Sequence, residues 1–121
     1  MPESAAQINN CALVTGAGGG LGREVARQLA GRGCRVAVLD INAVRAGETA
    51  ALCRKSGGEA FIIADDLTRT GAPEAAVDGA VDRWGRLDIL VNNAGFGGIE
   101  PFLAMTAALW NKTLSLNVTA L

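Results

Sequence analysis

The stretch TGAGGGLG, Thr15 to Gly22, carries glycine at positions 16, 18, 19, 20 and 22. Glycine inside a helix or strand costs roughly 0.5–1 kcal/mol relative to alanine, so such a density needs a reason, and the flanks supply it. Before it, Cys11 to Thr15 is a short apolar run that reads as a buried strand. After it, LGREVARQLAGRGC sets Leu21, Val25, Ala26 and Leu29 at helical spacing, with Arg23, Glu24, Arg27 and Gln28 on the opposite face. That is an amphipathic helix with a buried stripe, and Gly31 and Gly33 are suitable stops. A linker has no purpose between a strand and a helix, and a dry turn needs far fewer glycines. The reading that remains is a backbone cradle for phosphate. Gly16 lets the chain leave the strand tightly, glycines through Gly20 let the backbone approach a pyrophosphate, and Gly22 lets the helix pack close to the sheet. The amides between Thr15 and Leu21, at the positive end of the helix, are expected to grip the anion.

The remaining sequence alternates in the same way. Arg35 to Asp40 is a second apolar run; Asn42 can cap a helix reaching about Ser56, ended by Gly57 and Gly58. Glu59 to Ala64 is a third strand. Pro73 suits a helix start, and Ala76, Val77, Ala80, Val81 and Trp84 give the next helix one apolar stripe. LDILVNNAG is a fourth strand that breaks at Asn92 and Asn93, and Thr106 can cap a last helix running to Leu121. Strands that are apolar almost throughout are covered on both faces, as in a parallel sheet. The order β-α-β-α-β-α-β-α therefore predicts a doubly wound α/β fold in one domain over 1–121, with 1–10 as an N-terminal extension.

Charge and cysteines exclude several classes. Eleven basic and twelve acidic residues leave a net charge of -1, with no electrostatic drive toward nucleic acid or anionic lipid. Cys11, Cys34 and Cys53 lack CxxC spacing and there is no histidine, so no metal site is expected. Scattered, odd-numbered cysteines suit a reducing compartment. No apolar run approaches the roughly 18–20 residues of a membrane span, and MPESAAQINN has no signal-peptide character. A cytoplasmic protein is the expectation.

Asp40 ends the second run, 18 residues after Gly22, where such folds meet the adenosine ribose. A carboxylate there accepts hydrogen bonds from the ribose hydroxyls and repels a 2′-phosphate, which favours NAD over NADP. Gly18 and Gly19 offer no cation for the extra phosphate. The plain alternative is that Asp40 caps the helix that follows.

Together these residues resemble the short-chain dehydrogenase/reductase family. TGAGGGLG resembles its T-G-x-x-x-G-x-G loop, DDLT its D-[LV]-T element, Asn92 to Gly95 its N-N-A-G signature, and WNKTLSLNV the stretch bearing its helix asparagine. The resemblance implies a Rossmann-type sheet of strand order 3-2-1-4. It implies cofactor binding by Gly16, Gly18, Gly19, Gly20, Leu21, Gly22, Asp40, Asp66, Leu67, Asn93, Ala94 and Gly95. Asp66 would take the adenine amino group, Leu67 the adenine ring, and Asn117 would support a water-linked proton path. Asp66 as a turn residue, Asn92 and Asn93 as strand closers, and Asn117 as a packing residue are the structural alternatives.

In the family a tyrosine, a lysine four residues on and a serine handle the proton of hydride transfer. This chain has no tyrosine; its lysines are Lys55 and Lys112 and its serines Ser4, Ser56 and Ser115, none in that arrangement. The resemblance thus implies the cofactor-binding half of an NAD-dependent oxidoreductase for a small-molecule alcohol or carbonyl substrate, without the catalytic half and inactive alone. A homo-oligomer is expected, because family order leaves LDILVNN on an exposed edge. The competing readings are a dinucleotide-binding module that catalyses nothing and an interaction protein.

Overall fold

In a computed structural model of the chain, residues 10–94 are described. Gly95, the expected Thr106 cap with its helix, and Asn117 lie outside them. Strand β1 (Cys11–Thr15) is buried at all five positions and carries partners on both edges. Chain order continues through α1 (Gly20–Gly31), β2 (Arg35–Asp40), α2 (Ala43–Lys55), β3 (Glu59–Ala64), α3 (Ala72–Trp84) and β4 (Ile89–Val91). The four strands run parallel in the order β3-β2-β1-β4, the expected arrangement.

The two faces of the sheet follow from strand alternation. Val14, Val36, Val38 and Ala60 point one way and meet Ala26 and Ala30 of α1 and Ala46, Ala50 and Cys53 of α2. Leu13, Ala37 and Leu39 point the other way, onto Ala76 and Ala80 of α3 and onto Leu67. Phe61 and Trp84 close that second layer edge to face, with ring centroids 5.0 Å apart. The layer under α1 and α2 is built largely from alanine, which brings helix backbone close to strand backbone. All three cysteines are buried and unpaired.

The stripe on α1 differs from the expectation. Its buried residues are Gly22, Ala26 and Ala30, with Val25 and Leu29 only partly covered, while Leu21 is 71% exposed. Close approach selects small side chains for the facing row, and the large ones fall to its margins. Gly31 lies inside the helix; the stop is Gly33, at φ 96°, whose N–H donates to the Ala30 carbonyl at 3.0 Å. On α3 the buried row is Ala72, Ala76 and Ala80, and Val81 is exposed. The expected caps of α2 are present, since the Asn42 side chain accepts from the Arg45 N–H at 3.0 Å, and Pro73 does sit in the first turn of α3.

Strand β4 is shorter than the apolar run suggests. Asp88 is used ahead of it: its N–H donates to the Cys11 carbonyl at 2.9 Å, and its carboxylate accepts the Cys11 N–H at 2.9 Å. Beyond Val91 the Asn93 N–H turns back to the Val91 carbonyl. Among the described residues β4 pairs only with β1, and Leu90 is 47% exposed.

Candidate functional site

The turn from β1 into α1 is held from both sides. On the β4 side the Thr15 hydroxyl accepts the N–H groups of Asn93 and Ala94, each at 2.9 Å, and donates to the Val91 carbonyl at 3.2 Å. These three bonds meet the full donor and acceptor capacity of a hydroxyl. The Asn93 side-chain amide donates to the Gly16 carbonyl at 3.2 Å. On the α2 side the buried Thr49 hydroxyl donates to the Ala17 carbonyl at 2.7 Å. Arg23 then donates to Thr49 at 2.9 Å, to the Gly18 carbonyl at 2.6 Å and to Glu48 at 3.0 Å.

The loop amides divide into two groups. Ala17 donates to the Leu39 carbonyl and Gly18 to the Asp40 carboxylate, both at 2.9 Å. Strand β2 ends beside the loop and takes these two, so of the amides between Thr15 and Leu21 expected to meet the anion, those of Ala17 and Gly18 face protein. The N–H groups of Gly19, Gly20, Leu21 and Gly22 have no acceptor among the described residues. They head a helix that has no capping side chain and no acidic residue in its first turn. Four unmet donors at the positive end of a helix form a ready anion site.

The glycines test what that site can hold. At Gly18 an added Cβ would lie 2.7 Å from the Asp40 carboxylate, and at Gly19 it would land on the Arg45 guanidinium. At Gly22 it would meet the Gly16 carbonyl and lie 2.6 Å from the Asn93 amide. Gly18 and Gly22 are therefore bare because protein crowds them, whereas at Gly19 the tip of a flexible arginine is all that would have to move. Gly20, at φ +56°, has nothing within 4 Å of that position and opens the loop outward. An extended diphosphate suits a cradle with this open side and those free amides.

Asp40 is half-buried, and both its oxygens are already engaged, with Gly18 on one side and the Asn42 N–H at 2.9 Å on the other. A carboxylate offers about four acceptor positions, so capacity remains for two hydroxyl donors. The cap of α2 is Asn42 itself. Leu21, Ile41 and Val44 flank this edge as large exposed apolar side chains. Asp66 stands past β3 on the same edge, where its carboxylate takes the Thr68 N–H and hydroxyl at 2.9 and 2.6 Å. The Arg69 ion pair and the Asp66 N–H hold the neighbouring Asp65 carboxyl below its usual range. Leu67 buries its side chain in the second core layer, so its main chain is what this edge presents.

Two cations stand beside the glycine loop, where none was expected. Arg23 comes from α1 and Arg45 from the first turn of α2. Thr49 and these arginines carry no sequence signal of their own, since folding alone brings them to the loop; Thr15 is marked only as the first residue of the glycine motif.

The chain matches the family model described as short chain dehydrogenase over residues 10–121. It is 43% identical over 108 residues to a 7alpha-hydroxysteroid dehydrogenase of Escherichia coli, covering 89% of this chain and 42% of that protein. To a sorbitol dehydrogenase of Cereibacter sphaeroides it is 38% identical, covering 89% and 41%. Among solved structures, a 7 alpha-hydroxysteroid dehydrogenase complexed with NADH and 7-oxo glycochenodeoxycholic acid superposes with a TM-score of 0.89 at 39% identity. That match covers 99% of this chain and 48% of the other. The chain thus spans less than half the length of these relatives.

Proposed function

This chain belongs to the short-chain dehydrogenase family, and from that premise we propose that it forms the cofactor-binding part of an NAD-dependent oxidoreductase acting on an alcohol or ketone. The observation that carries this reading is the row of four unmet amides, Gly19 to Gly22, next to the Asp40 carboxylate. The relative solved with NADH, at a TM-score of 0.89, supports the same ligand class. When bound, a nicotinamide dinucleotide supplies or accepts the hydride.

The chain's own residues do the holding. Amides at the head of α1 take the diphosphate, with Gly16, Gly18 and Gly20 shaping the loop and Leu21 lying over it. Asp40 accepts from the adenosine ribose hydroxyls, which favours NAD because a 2′-phosphate would bring a second negative charge against it. Asp66 and the main chain of Leu67 meet the adenine, and Asn93, Ala94 and Gly95 line the cofactor's ribose. Asn117 is assigned a supporting role in proton transfer. The family's serine, tyrosine and lysine are not found in their arrangement within these 121 residues, so this chain alone is expected to bind cofactor without turnover. A cytoplasmic homo-oligomer completes the proposal.

Titration calorimetry with NAD and NADP tests it. NAD is expected to bind more tightly. Asp40→Ala is expected to narrow the gap by about tenfold, the worth of one hydrogen bond to a charged group. Asp40→Asn, which keeps an acceptor for the Gly18 N–H, separates charge from loop support. A preference for NADP in the unaltered protein overturns the cofactor assignment.

A further inference from the structure

We infer that Arg45 moderates the cofactor choice made by Asp40, by supplying from α2 the cation that the glycine loop lacks. The inference rests on the dinucleotide reading above. The Arg45 guanidinium fills the space a side chain at position 19 would take: a Cβ built on Gly19 would fall on it, 3.0 Å from its Cζ. The stem of Arg45 crosses Gly18 on the side where Asp40 stands, with its Cβ 3.1 Å and the Asp40 Cγ 2.7 Å from a Cβ built there.

The two arginines at this loop differ in how far they are committed. Arg23 is tied to Thr49, Gly18, Glu48 and the Arg45 carbonyl. The Arg45 guanidinium makes no hydrogen bond or ion pair among the described residues, and no ion pair within 4.0 Å joins it to Asp40. A permanent, planar cation is thereby held over the loop beside the ribose-binding carboxylate with its donors unspent. A group with several oxygens suits that fork better than a hydroxyl does, and a 2′-phosphate on a ribose held at Asp40 is the group of that kind that NADP brings to this edge. Asp40 opposes that phosphate and Arg45 offsets the opposition, so discrimination against NADP is modest rather than absolute.

The experiment uses the adenosine half of the cofactor as probe: adenosine 2′,5′-bisphosphate against adenosine 5′-monophosphate, by calorimetry, in the unaltered protein, Arg45→Ala and Arg45→Lys. Arg45→Ala is expected to raise the ratio of bisphosphate Kd to monophosphate Kd about tenfold, as for loss of a charge-assisted contact. Arg45→Lys, which keeps charge but not the fork, should recover part of that. The unfolding midpoint of each variant is measured alongside. An unchanged ratio, whether both probes weaken equally or neither does, overturns the role of Arg45. Binding of the monophosphate alone by the unaltered protein overturns it too while leaving the adenosine site standing. Binding of neither probe fells both readings.

Discussion

Gly22 and Gly79 both sit inside helices, yet the same substitution should act oppositely at the two. In an open helix position, glycine to alanine gains about 0.5–1 kcal/mol. Gly79 has nothing within 4 Å of an added Cβ, so Gly79→Ala should raise stability by about that amount. At Gly22 the Cβ would drive into the Gly16 carbonyl and the Asn93 amide. Gly22→Ala should therefore lower stability by about 1–3 kcal/mol, the range for overpacking a tight site, and should shift the loop that carries the free amides. Urea midpoints of the two variants check the sign of each. The need for glycine at 22 was legible in the sequence; its cause, the Gly16 carbonyl just after β1 and the Asn93 amide just after β4, was not, because Asn93 arrives from far along the chain.

At the scale of elements, the strands, the cap of α2 and the start of α3 could be read from apolar runs and turn residues, while the order of the strands was implied by the family resemblance. The facing row of α1 could not. Periodicity weights large apolar side chains, whereas a helix pressed against a sheet by Gly22, Ala26 and Ala30 displaces Leu21 to the surface. The same limit hid Arg23, Thr49 and Arg45, whose bonds or placement join α1 and α2 to a loop that neither helix contains. One element-level prediction follows from Asn42. Asn42→Ala removes the acceptor of the Arg45 N–H and should cost about 1 kcal/mol by thermal or denaturant unfolding. Fraying of that turn should also loosen Arg45 over the loop, so weaker binding of adenosine 2′,5′-bisphosphate is expected alongside.

For the molecule as a whole, acid stability depends on carboxylates tied across elements. The Arg86 guanidinium, and after it the Cys11 N–H, hold the Asp88 carboxyl below its usual range. A group lowered on folding contributes stability above its ordinary value and loses it as pH falls through the lowered one. The stability advantage over Asp88→Asn should therefore be full at neutral pH and shrink below about pH 4, which unfolding midpoints along a pH series would display. A constant difference down to strong acid would refute it. Asp88 and Cys11 are 77 positions apart, and Thr15 reaches 78 and 79 positions to Asn93 and Ala94. Long closures of this kind come late in assembly, after neighbouring strand–helix units have formed. During synthesis β1, β2 and β3 can gather first, with the glycine turn still untied at one end; it acquires its final shape only when β4 docks beside β1.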